Sequence, residues 1–114
     1  MGLDMILDKR LADNTPIERI GSWRKHANLH GYMESLYRAR GGENKFNCQE
    51  LELTKDDCEK IIALSEDSEK GFETAEGFFW GKSNSEHDTE TIMYMKEALD
   101  AIEQGYTIYY DSWW

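Results

Sequence analysis

The densest chemistry in this chain lies in residues 22–32, SWRKHANLHGY, which gather a tryptophan, two cations, two histidines and an asparagine. His26 and His30 stand four apart, a spacing that on a helix presents two imidazoles on one side, as metal sites require. A third ligand would have to come from His87, a carboxylate or a cysteine. The glutamate of an H-E-x-x-H motif is missing, so the pair reads as structural and no metal is assigned. Arg24, Lys25, Asn28 and His30 suggest a different chemistry, the binding of an anion through a planar guanidinium fork and neighbouring neutral donors. The competing reading makes Arg24 and Lys25 a solvated face and puts Trp23 and Tyr32 in the core. Walker, G-x-G-x-x-G and G-x-S-x-G motifs are all missing, and Ser22 and Ser112 have no evident base partner. No catalytic residue and no cofactor are assigned.

Charge gives the second signal. The net charge of −10 divides unevenly. Residues 1–49 hold eight Lys/Arg against six Asp/Glu (+2), whereas residues 50–114 hold five Lys against seventeen Asp/Glu (−12). Such asymmetry is expected of a surface with a preferred partner; the acidic half repels nucleic acid and can also imitate it, while the plainer reading is that the acids serve solubility. The expected contact surface is Asp56, Asp57, Glu66, Asp67, Glu97, Asp100 and Glu103, together with the terminal aromatic pair Trp113 and Trp114 as a docking edge. Asp56 and Asp57 also suit the first turn of a helix.

The elements that must position these residues follow from pattern. At 114 residues the chain fits one domain, 1–114. Its fourteen aromatics argue against disorder, and it contains no apolar run of membrane length. Cys48 and Cys58 match neither a redox pair nor a zinc knuckle and read as free thiols, with Cys58 buried. Residues 2–7 and 46–53 read as strands, with Leu51 and Leu53 facing inward. A helix is expected from Ile17 or Ser22 to about Arg40. A second helix is capped by Thr54, and a third runs through Ile92, Met95, Leu99 and Ile102 to a terminating Gly105. GFFWG (77–81) reads as a strand buried on both faces, and residues 106–114 as a terminal strand. The sum is an α/β or α+β layer of three helices on about four strands.

Four segments in fixed order then give a family likeness: MGLDM (1–5), GSWRKHANLH (21–30), GFFWG (77–81) and YYDSWW (109–114). Together they resemble a small family found in bacteriophages and some bacterial genomes. The likeness spans almost the whole chain. It implies a phage or prophage setting and no agreed activity, with Trp23, Arg24, Lys25 and His30 as the polar helix and Asp4 as the acid of the opening strand. One departure is visible: Ala27 stands where the family carries asparagine, and Asn28 follows it. About 100° of helix rotation separates the two. The resulting expectation is a non-enzymatic interaction protein acting on a bacterial host protein in the host cytoplasm, with no direct nucleic-acid or membrane binding. The alternative is a ligand-binding domain or small enzyme in which Asp4 joins Arg24, Lys25, Asn28 and His30 around an anion.

Overall fold

A computed structural model describes residues 2–67, 70–77 and 80–114. Strands β1 (Asp4–Arg10) and β2 (Pro16–Arg24) form a hairpin, followed by α1 (Ala27–Ala39), β3 (Leu51–Leu53), α2 (Lys55–Glu66), α3 (Ser85–Glu103) and β4 (Thr107–Trp113). The sheet is antiparallel in the order β2-β1-β4-β3. Three helices with a four-stranded antiparallel sheet make an α+β fold.

Side-chain alternation along the paired strands divides the sheet into two faces. Met5, Leu7, Leu51, Leu53, Ile108, Tyr110 and Ser112 are buried beneath the helices. Asp4, Ile6, Asp8 and Arg10 of β1 occupy the opposite face with Tyr109, Asp111 and Trp113 of β4, and no described helix covers them. Arg10 is nevertheless buried there. Its guanidinium lies 4.2 Å from the Tyr109 ring centre and is ion-paired with Glu50.

The expected first helix begins too early in the sequence reading. Residues 16–24 are strand β2, and α1 starts only at Ala27. Asp13 and Asn14 build the hairpin turn, with Asn14 at φ 74° and Thr15 N donating to Asp13 Oδ1 at 3.0 Å. Register shifts then interrupt the β1–β2 ladder at Leu7/Asp8 and Lys9/Arg10. Each extra residue displaces the strand's two-residue period, so the Ile17–Ile20 spacing imitates a helix. Lys25, at φ 59°, separates strand from helix. The strand expected at GFFWG falls mainly on Phe78 and Phe79, which lie outside the described residues; of the rest, Trp80 N donates to Gly77 O and neither residue belongs to a strand. The expected strand at 46–53 narrows to Leu51–Leu53, with Phe46 in the core but outside the ladder.

The capping signals match the sequence reading. Thr54 accepts from Asp57 N, and Asp57 Oδ2 accepts from Thr54 N at 2.9 Å, a reciprocal capping box. Asn84 and His87 make the equivalent box on α3, and Gly105 ends that helix at φ 93°. Asp57 is buried and ion-paired with Arg40, whose other nitrogen donates to Glu52 O at 2.7 Å. Burial opposes ionisation of Asp57, yet Arg40 and the Thr54 hydrogen bonds outweigh it and hold the carboxyl below its usual range. This residue therefore ties α1, β3 and α2 together and is not part of an open contact surface. Asp57→Ala is expected to lower stability by roughly 2 kcal/mol in urea unfolding, through loss of the cap and of a charge-assisted hydrogen bond. A loss below about 0.5 kcal/mol would contradict this role.

Candidate functional site

The four sequence segments meet at one end of the molecule. Lys25 N donates to Leu3 O at 2.9 Å, and the Lys25 side chain lies against Gly2 and Gly81. A Cβ on Gly81, which has φ 72°, would stand 2.8 Å from Lys25 Cβ, so only glycine fits there. His30, on α1, is fully buried. Its Nδ1 is hydrogen-bonded to the Tyr110 hydroxyl at 2.6 Å, joining α1 to β4. Phe46 stacks on the His30 ring at 5.1 Å, while Trp80 and Trp114 meet it edge-on at 4.5 and 4.9 Å.

A second histidine group adjoins the first. His26 and His87 stack at 4.6 Å between centroids. His87 Nδ1 accepts from Asn84 N at 3.1 Å, which leaves the proton on Nε2 to be donated to Arg24 O at 3.0 Å. Trp23 Nε1 donates to Thr91 Oγ1 at 2.8 Å, and Thr91 donates to His87 O at 2.7 Å. Sequence reasoning considered His87 only as a third metal ligand and gave Thr91 no role. The N-terminal placement of His87, three residues after Asn84, was the available signal.

Ser83 Oγ stands 2.6 Å from His26 Nδ1, the distance of a nucleophile and its base. Its chemistry is unsuited to that task. Burial, helped by the neighbouring His87, lowers the His26 pKa to about 3, far from a general base poised near neutrality. No described residue orients His26 Nε2, and Ser83 Oγ already accepts from Asn28 N at 3.0 Å. The Ser83–His26 pair therefore joins the segment before α3 to the start of α1. Burial likewise lowers His30 to about 4 and pushes the Cys58 thiol up to about 12. Among the described residues no group of three or more His, Cys, Asp or Glu is arranged to hold a metal ion.

The five residues considered for anion binding do not converge. Asp4 and Arg24 are cross-strand neighbours on the uncovered side of the sheet, whereas His30 lies on the helix side. Lys25 packs against the glycines, and Asn28 Oδ1 accepts from Ala75 N at 3.0 Å. A shallow hollow of about 390 Å³ does include Asp4, Arg19 and Arg24, but Glu90 is also there, so two carboxylates face two guanidinium groups. Such a balance gives an anion little net attraction.

The expected contact residues also separate. Asp56, Glu66, Asp67, Glu97, Asp100 and Glu103 are exposed, with Asp56 paired to Lys60 at 3.0 Å. Trp113 is 41% exposed on the uncovered sheet face, but Trp114 packs on His30 and Trp80 and belongs to the core. No described helix is long and apolar enough to cross a membrane. Compared with protein-family models, curated proteins and solved structures, the chain has no match.

The neutral histidines determine how stability responds to acid. In the unfolded chain each titrates near 6.5, so below that pH the unfolded state binds more protons and folding stability falls. His26 and His30 together should cost roughly 2.5 kcal/mol per pH unit around pH 5, offset in part by Asp88 and Asp111, whose carboxyl pKa values burial raises. Urea unfolding between pH 6 and 4.5 measures this slope. A slope under about 1 kcal/mol per unit would show that these imidazoles are not buried in the neutral form.

Proposed function

We propose that this chain is a non-enzymatic interaction protein that engages a basic surface on a partner. In the phage-related setting implied by its four motifs, that partner is a protein of the bacterial host and the encounter takes place in the host cytoplasm. One observation carries the reading. Helix α3 bears six acids (Glu86, Asp88, Glu90, Glu97, Asp100, Glu103) against a single lysine, Lys96. Glu86, Glu90, Met93, Glu97 and Asp100 recur at four- and three-residue steps and so share one stripe of the helix. Met93, in the middle of that stripe, is 52% exposed, an apolar contact with Glu90 and Glu97 before and after it along the stripe.

This arrangement suits recognition of Lys/Arg-rich surfaces. The carboxylates steer encounter and set orientation, and the methionine adds adaptable apolar area. The narrower form of the proposal, imitation of nucleic acid, would put the stripe in the partner's DNA-binding surface.

The stripe also specifies its test. A Glu86→Gln, Glu90→Gln, Glu97→Gln, Asp100→Asn variant should retain the parent circular dichroism. It should lose the stoichiometric partner that the parent captures from bacterial lysate at low salt. Raising the salt should release that partner from the parent as well, because exposed charge contacts are screened over about 10 Å at 0.1 M. Duplex DNA should compete if the contact is mimicry. Equal capture by parent and variant, or capture indifferent to salt, would refute the reading.

A further inference from the structure

Residues 70–76 form a strap across α1. Lys70 N donates to Asp67 Oδ1 at 2.9 Å, and Phe72 lies edge-on to His26 and Tyr32 at 5.9 and 5.6 Å. At the far end Ala75 N donates to Asn28 Oδ1. Gly31 permits this approach, because a Cβ there would stand 2.5 Å from the Ala75 Cβ. Anchored at both ends, the strap leaves a cleft of about 810 Å³ between itself, α1 and the last turns of α2. That volume lies within the range of small-molecule sites.

The composition of the walls selects among ligands. Among the described residues three aromatic side chains line the cleft, Tyr32, Phe72 and Trp80, and three carboxylates, Glu34, Glu73 and Glu76, share it with one cation, Lys70. Glu34 stands 3.9 Å from Arg38, whereas Glu73 and Glu76 make no ion pair among the described residues. Leu64, in the last turn of α2, also lines the cleft, and that turn carries no basic residue to offset the negative end of the helix dipole. An anion would meet the carboxylates and the helix end together. A neutral apolar molecule would contact the rings but leave the charges idle. A cation with an apolar body satisfies both, because ring faces and carboxylates attract it together.

We propose that this cleft binds a small organic cation, an alkylammonium group seated among Tyr32, Phe72 and Trp80 with Glu73 and Glu76 supplying the counter-charge. The site is separate from the α3 stripe.

Choline and its uncharged carbon isostere 3,3-dimethylbutanol, titrated into ¹⁵N-labelled full-length protein, provide the test. Choline should saturably shift the Trp80 indole and the Phe72 and Ala75 amides. The isostere should bind at least about tenfold more weakly, the equivalent of one favourable charge contact. Glu73→Gln combined with Glu76→Gln should weaken choline by about tenfold or more while leaving α1 and sheet resonances in place. The α3 stripe variant should bind choline like the parent, which separates this site from the partner surface. Failure of choline to produce saturable shifts in the millimolar range, equal binding of the isostere, or indifference to the double substitution would each overturn the proposal.

Discussion

The fold depends on keeping His30 neutral in a buried aromatic setting. Its side-chain hydrogen bond to Tyr110 crosses from α1 to β4, the strand at which β1 and β3 both pair. A buried hydrogen bond of this kind contributes only about 1 kcal/mol net, but loss of one partner leaves the other unpaired at a cost of about 1–3 kcal/mol. An imidazolium in the same place would be far more expensive, since burial opposes charge directly. Tyr110 is constrained in the same direction, because burial raises its pKa well above the usual value and keeps the phenol protonated.

Around this bond the other conspicuous residues acquire structural reasons. Trp80 and Trp114 close the collar, Gly2 and Gly81 make room for Lys25, and Trp23 reaches Thr91 to bring α3 onto β2. His26, held by Ser83, packs beside His87, which caps α3. The segments that look most like chemistry in the sequence are thus occupied with holding three helices on one side of a sheet. The surfaces we propose for recognition are elsewhere, on the acidic stripe of α3 and in the cleft under the 70–76 strap.

Much of the fold was legible in the sequence because local rules governed it. Thr54 and Gly105 mark helix ends through hydrogen bonding and backbone freedom that neighbours alone decide. Alternation fixed which of Leu51, Glu52 and Leu53 face inward. Residues 16–24 were misread because bulges in β2 disguise its period, although the DNTP turn between two apolar runs was a hairpin signal. The site was less legible. Residue type alone gave no way to see that Asp57 answers Arg40, that Trp114 turns inward while Trp113 stays out, or that Asp4 and His30 lie on opposite sides of the sheet. Those facts depend on register and on contacts distant in sequence.

The most direct measurement of this account is the protonation of His30 itself, followed by long-range ¹H–¹⁵N correlation of the imidazole from pH 7.5 to 4. A neutral ring whose nitrogen shifts stay constant through pH 5 and change only near pH 4 is the predicted result. Titration near 6.5, with both nitrogens protonated at pH 5.5, would mean that the ring is open to water. The convergence of the four segments on a buried, neutral core would then be wrong.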